Sequence, residues 1–396
     1  MKRRTLLVWL TFGHFANDWP VSSLWLTIPA AGITMGLTPT EVGLLFTIIN
    51  AGGALAYIPA GILADVVSNR RCLLLATFWW VAAGFGLAAI AETYWTLAIL
   101  LVLAGMGNAS WHPIAAGVLS RENSDGRAHA LGIHAMGGSV AEMLAPLAVG
   151  ALLVHVDWRV ALSISALPPL VFGIIFVRAA QAIPLVSRRV IRRQEVLDFV
   201  VRWSEGSSLR IVIMICLYNM AFMGLLSMIP LYLAAAHGFT AAEIGLTFSG
   251  VLFAGAVLQP FVGRLSDLAG RKPLLVFCNA SAGIASLLLM TQLPIPIMLV
   301  GLAIAIASLD TMRAVALAAT IDVTGEQEGT TVGLAFVLME GIGALGALLF
   351  GIAAGVSWPY MFGLSAVLAL ASAVMAKSID FRPWQAGRLG DHIHER

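Results

Sequence analysis

An ionisable side chain in the middle of an apolar run is expensive to bury, about 2.5–3.5 kcal/mol at the centre of a bilayer, so where such residues fall is informative. In this sequence they fall in a few places. The run 5–28 holds His14, Asn17 and Asp18, with His14 and Asp18 four apart and so on one helical face. The run 94–119 holds Asn108 and His112, again four apart and followed by Pro113. Asn219 lies in the run 209–235, and Asp310 and Arg313 lie in 294–320. His134 and Glu142 share a face in 129–154, and Glu340 interrupts 330–354. Imidazole titrates near neutrality, and a carboxylate beside it can exchange a proton with it. Asp18 with His14 is therefore the leading proton-coupling candidate; the plainer alternative is a pair that stiffens its own helix. His112 suits a substrate hydrogen bond, a relay, or packing beside a proline kink. His14, Asp18 and His112 are also ligand types for zinc, but no tight ligand cluster occurs in the sequence, so neither metal nor cofactor is expected. Arg313 either neutralises Asp310 or offers its planar fork to an anionic cargo.

The elements that must carry these residues are membrane helices. Of 396 residues, 59% are hydrophobic and 11% charged, and the mean hydropathy is +0.91. Soluble domains carry about twice that charged fraction. A span needs about 20 apolar residues, and twelve runs qualify: 5–28, 40–64, 71–91, 94–119, 129–154, 158–178, 209–235, 241–265, 273–291, 294–320, 330–354 and 358–377. They are too long and too continuously apolar for barrel strands, so the chain is predicted to be all-α. A net charge of +2 gives no basic surface for nucleic acid. Cys72, Cys216 and Cys278 show no paired spacing and read as apolar packing residues. The start, Met-Lys-Arg-Arg before an apolar stretch, looks like a signal peptide, but His14, Asn17 and Asp18 break the run and favour an uncleaved first helix. Trp9, Trp19, Trp25, Trp79, Trp80, Trp95 and Trp111 suit interfacial anchoring or packing.

Lys and Arg set the orientation. Lys2, Arg3, Arg4, Arg70, Arg71, Arg121, Arg127, Arg264, Arg271, Lys272, Lys377, Arg382, Arg388 and Arg396 all fall on one side, with Arg159 the exception. Both termini are thus expected in the cytoplasm, in an inner-membrane, multi-pass protein. The polar stretch 179–208, with Arg188, Arg189, Arg192, Arg193 and Arg202, reads as an amphipathic cytoplasmic linker on anionic lipid. It divides a six-helix bundle, 1–178, from a second, 209–378, and 379–396 is a cytoplasmic tail.

The second half repeats the first. Leu37-Thr-Pro-Thr-Glu41-Val-Gly43 matches Phe239-Thr-Ala-Ala-Glu243-Ile-Gly245, and Gly61-Ile-Leu-Ala-Asp65 matches Gly263-Arg-Leu-Ser-Asp267. Glu41, Gly43, Gly61, Asp65 and Arg70 each lie 202 positions before Glu243, Gly245, Gly263, Asp267 and Lys272, without a gap. Parallel repeats about an axis along the membrane normal are a transporter plan, with cargo held between the halves near the midplane.

Gly263-Arg-Leu-Ser-Asp267-Leu-Ala-Gly270-Arg271-Lys272 resembles the loop signature of the major facilitator superfamily, and Gly61 through Arg70-Arg71 resembles its first-half copy, departing from it at Ser68 and Asn69. Gly13-His14-Phe-Ala-Asn17-Asp18, Gly105 through His112-Pro113, and Gly137-Gly138 with Ala145-Pro146 together resemble the fosmidomycin-resistance branch of drug exporters. The resemblance implies twelve helices in two pseudo-symmetric halves. It implies a cavity lined by helices one, four, seven and ten, where His14, Asn17, Asp18, Asn108, His112, Asn219, Asp310 and Arg313 lie. Helices five and eleven would border the halves, making Glu142 and Glu340 proton carriers, gate partners or interface hydrogen-bonders. Asp65 and Asp267, with Arg70, Arg71, Arg271 and Lys272 and the glycines Gly61 and Gly263, would latch the halves in one state; static topology-setting charge is the alternative. Gly132 through Pro146 resembles the fifth-helix motif of antiporters, with Ala145 in place of Gly.

The expected function is proton-coupled export of a small organic compound by a monomer using alternating access. The alternative is uptake of an organic anion on Arg313. A membrane receptor or an intramembrane enzyme built on His14, Asp18 and His112 is more remote. The sequence has no phosphate-cradling GxxxxGK[ST], no HExxH and no nucleophile elbow.

Overall fold

The computed structural model describes residues 3–122, 127–185, 203, 206–291, 293–324 and 337–381. Most of the expected linker and tail, the side chains of Arg127 and Asp65, and residues 330–336 of the eleventh run lie outside the described residues. Every regular element described is helical.

Among the described residues, eleven helices are long and apolar enough to cross a membrane. A twelfth, span 1 (Arg3–Met35), has 33 residues, about 50 Å at 1.5 Å per residue. It is less apolar than the others, with His14, Asn17 and Asp18 sitting mid-helix. The other spans are, in order, Pro39–Ala64, Arg70–Ala88, Tyr94–Leu119, His129–Leu152, Trp158–Ala180, Gly206–His237, Ala241–Ala269, Arg271–Leu289, Ile295–Thr320, Leu338–Val356 and Trp358–Ser378. Span 1 continues seven residues beyond its expected end at 28, straight through Pro20 and Pro29, since neighbouring helices can satisfy the carbonyls a proline frees. Two spans predicted as single helices are broken. Span 2 divides at Leu55–Ala56 and span 6 at Ala166, ahead of Pro168-Pro169. Span 11 opens with a π-turn, Leu338–Ile342.

The repeat is visible in bond-for-bond detail. Thr38 and Thr240 cap spans 2 and 8, each accepting from the N–H of Glu41 or Glu243 at 3.3 Å, while that glutamate accepts from the cap N–H at 2.8 Å. These are matched capping boxes. Just before each, Gly36 and Gly238 take φ +67°, a left-handed turn that glycine alone makes without strain. The loop signature breaks this symmetry. Gly270 adopts φ +92°, but its counterpart Ser68 does not, and the first copy leaves its helix through Val67 at φ −84°, ψ 118°.

Span 1 packs on span 5, span 7 on span 11, and the halves meet where span 2 packs on span 11 and span 5 on span 8. Near the face opposite the termini these crossings run backbone to backbone. A Cβ on Gly43 would strike the Ala347 carbonyl, and one on Gly150 would lie 2.8 Å from Gly245 Cα. Glycine is what permits helices to approach this closely. Nearer the terminal face, Gly132 and Gly263 look onto open space. Among the described residues, then, the closest glycine contacts between the halves lie toward the far face. Of the two roles expected for Trp111, anchoring or packing, its full burial against Gly13 and Phe78 fits packing.

Candidate functional site

The span 1 helix aims His14 and Asp18 along one face, and their side chains meet at 3.0 Å between Nε2 and Oδ2. Span 4 brings Asn108 Nδ2 to within 2.8 Å of Asp18 Oδ1 and His112 Nε2 to within 3.6 Å of the same oxygen. Asn17 and Asn108 also donate to each other's backbone carbonyls, at 3.3 and 3.2 Å. Two helices are thereby tied at the level of the carboxylate, and Asn17 is fully buried in the seam. Span 5 closes the third side. His14 Nδ1 lies 2.9 Å from the His134 carbonyl oxygen, and the His14 and His134 rings stack at 4.4 Å.

Gly138 explains how span 5 comes so near. A Cβ there would lie 2.8 Å from His14 Nε2 and 3.0 Å from Asp18 Oδ2. A side chain at 138 would wedge into the pair.

That geometry fixes a proton count. A carbonyl oxygen only accepts, so His14 Nδ1 must be the N–H donor. A neutral imidazole then has a bare lone pair on Nε2, pointing at an ionised carboxylate 3.0 Å away. That contact is repulsive unless a proton occupies it, carried either by His14 as an imidazolium or by Asp18 as an acid. His14, Asp18 and His112 also present ligand atoms within 4.8 Å of one another, so the tight cluster missing from the linear sequence forms in three dimensions. Three protein ligands at this spacing would fit a catalytic-type metal site, although hydrogen bonds already engage all but His112.

The other half supplies a differently charged group. Arg313 of span 10 points NH1 at Glu142 Oε1 of span 5, 3.6 Å away, bridging the halves. Its guanidinium lies over the Phe222 ring at 5.6 Å. Asp310, the expected partner, is buried and seated over Gly255 of span 8, where any Cβ would collide with its carboxyl. Glu340 is within electrostatic reach of Arg313, Glu142 and Asp18. Asn219 is fully buried and donates through Nδ2 to the Met339 carbonyl. It therefore shapes span 11 rather than facing a cavity.

Two clefts flank this centre. One is bounded by Ser139, Glu142, Gln259, Asp310 and Arg313. The other runs from Asn108 past Asn50 and Tyr57 to Glu340 along apolar walls such as Leu24, Phe85 and Leu101. Tyr57, Asn50, Ser139 and Gln259 escaped the sequence reading. Gln259-Pro260 mid-run was a usable signal; a lone tyrosine beside an alanine-rich stretch was not.

The signature loops are tied within each half. Arg271 NH1 contacts Asp267 Oδ1 and donates to Ser266 Oγ at 2.7 Å. Arg70 Nε donates to the Ala64 carbonyl at 2.6 Å, and Arg71 Nε to the Ile183 carbonyl at 2.8 Å. A Cβ on Gly61 would meet Pro113 only at 3.9 Å, ordinary van der Waals contact.

Residues 10–240 and 211–383 match the family model described as Major Facilitator Superfamily. A "Probable 4-methylmuconolactone transporter" of Cupriavidus pinatubonensis is 32% identical over 176 residues, 43% of this chain and 40% of that protein. The match thus spans less than half of that relative. A "Putative metabolite transport protein" of Haemophilus influenzae is 26% identical over 302 residues, 73% of this chain and 74% of that one. Among solved structures, a bacterial homologue of the human lysosomal transporter Spinster, captured inward-facing and unoccupied, superposes with TM-score 0.77 at 16% identity, covering 98% of this chain and 97% of that one. The nucleoside transporter NupG superposes with TM-score 0.78 at 13% identity, covering 93% and 99%. These two likenesses concern the fold alone.

Proposed function

The chain belongs to the Major Facilitator Superfamily, and from that premise we propose that it is a proton-coupled secondary transporter of a small organic compound, with the His14–Asp18 pair as its proton site. One observation carries the reading. With His14 Nδ1 committed to the His134 carbonyl, the 3.0 Å contact between Nε2 and Asp18 Oδ2 is stable only with a proton in it. The pair is braced by three helices, spans 1, 4 and 5. Any motion that separates span 5 from span 1 removes the carbonyl, frees Nδ1 and lets the proton leave. Uphill movement of cargo then draws on the proton gradient.

We assign the direction as export, on the antiporter-like run Gly132 to Pro146 and the resemblance to fosmidomycin-resistance exporters. A second reading, uptake of a small organic acid, is favoured by Arg313, the cation at the inter-half cleft, and by the muconolactone name carried by one relative.

The test is transport in proteoliposomes under an imposed pH gradient, using radiolabelled fosmidomycin and 4-methylmuconolactone as probes. Under this reading flux of at least one follows the gradient, its sign gives the direction, and Asp18→Asn retains counterflow while losing gradient-driven accumulation. Accumulation that persists in Asp18→Asn refutes the proton-site assignment.

A further inference from the structure

Span 11 carries Glu340 on an irregular stretch of backbone. The Gly343 N–H reaches back five residues to Leu338 at 3.1 Å, so the Met339 carbonyl loses its helical donor and accepts from Asn219 instead. One turn later, Ala347 N–H takes the Ala344 carbonyl at 3.0 Å. The Leu348 N–H, which in a regular helix would donate to Ala344, donates to Thr47 Oγ1 at 3.1 Å, and that hydroxyl donates onward to the Ala344 carbonyl at 2.7 Å. Thr47 is buried and belongs to span 2 of the other half. A side chain from one bundle is thus inserted into a backbone hydrogen bond of the other, next to the π-turn that holds Glu340. Inserted hydroxyls and π-bulges are recognised causes of helix kinks.

We propose that Thr47 is a positioning residue for Glu340: it holds span 11 irregular while the halves are joined at the far face, and its withdrawal when they part lets Leu348 pair with Ala344 and resets Glu340. This rests on the alternating-access reading above and adds the part that couples the two bundles. The logic is that of a wedge. Glycine contacts at Gly43 and Gly351 hold span 2 on span 11 at this level, so Thr47 cannot stay inserted once they separate. Losing the wedge restores a helical bond and turns the Glu340 side chain relative to the groups around it. Within electrostatic reach are Arg313 of span 10, Glu142 of span 5 and Asp18 of span 1, and Tyr57 of span 2 lines the same cleft as Glu340.

The experiment uses the full-length chain in nanodiscs, with Cys72, Cys216 and Cys278 changed to Ser and spin labels at Glu92→Cys and Thr291→Cys, exposed loop positions of the two halves on the far face. Electron–electron distances are recorded from mildly acidic to mildly alkaline pH. In the otherwise unaltered chain the open fraction follows pH. Thr47→Val, isosteric without the hydroxyl, is expected to move the midpoint by about one unit, a tenfold change in proton affinity, and Thr47→Ser to restore it. Glu340→Gln is expected to move the midpoint as well, and adding Thr47→Val to it to move it no further. Thr47→Ala serves where valine disturbs the fold. A midpoint unmoved by Thr47→Val, even with a changed open fraction, makes Thr47 a mere staple and overturns the proposal. Additive shifts in the double variant overturn it too. A distribution in the unaltered chain that ignores pH overturns the proton-coupled reading, and this one with it.

Discussion

Gly138→Ala tests the proton site without touching an ionisable group. The new Cβ would fall 2.8 Å from His14 Nε2 and 3.0 Å from Asp18 Oδ2, closer than carbon tolerates, so the pair must part. At an effective dielectric constant of about 20, unit charges 3.0 Å apart attract by roughly 5.5 kcal/mol, and at about 4 Å by roughly 4 kcal/mol. The difference, about 1.4 kcal/mol, is tenfold in an equilibrium constant. The proton-loaded pair is the form stabilised by this attraction. Weakening it therefore shifts half-loading of the site to lower pH by about one unit. The assay is proton uptake by purified protein after a pH jump, read with an indicator dye, which needs no cargo. Gly132→Ala is the control, because the same substitution on the same span meets open space. If Gly138→Ala loads protons at the same pH as the unaltered chain, the pair is not the proton store. If both shift alike, the effect belongs to the helix backbone and not to the wedge.

Other consequences follow from single contacts. Breaking one partner of a buried ion pair costs about 3–5 kcal/mol; Arg313 and Glu142 remain 22% and 37% exposed, so each of Glu142→Gln and Arg313→Gln should lower thermal stability in detergent by less, and the double variant should recover part of the loss. Full additivity in that cycle would deny the bridge. Thr38→Ala and Thr240→Ala, which remove equivalent caps, should each cost about 1 kcal/mol, and a difference between them much above that would show that the halves are not mechanically equivalent there. Gly270→Ala must hold a Cβ at φ +92°, ψ 154° and should cost about 1–3 kcal/mol by the same melt, whereas Ser68→Ala, at the matching position without that conformation, should be near neutral.

How far the sequence could reach follows from which information is local. Helix existence was legible from apolar runs, and the repeat was legible because the Thr38–Glu41 and Thr240–Glu243 caps are four-residue motifs that close on themselves. Gly36 and Gly238 share the same offset and the same φ, yet drew no notice, since a glycine shows its reason only once the turn is seen. His14 with Asp18 was readable because helical spacing alone puts them together. Arg313 was not. Its neighbour in sequence, Asp310, is the natural partner by spacing, but the guanidinium reaches a glutamate 171 positions away on the other half, a contact only the meeting of spans 5 and 10 creates. The same holds for Thr47, an unremarkable polar residue in an apolar run until span 11 arrives with a backbone bond to split. Residues that act within one helix write themselves into spacing; residues that act between the halves do not. On the proposed alternating-access reading, the contacts that stayed hidden are the ones a change in the relation between the halves would break. On this argument, substitutions at Thr47 and Glu142 should alter coupling between proton and cargo, whereas substitutions at the spacing-legible caps should alter stability alone.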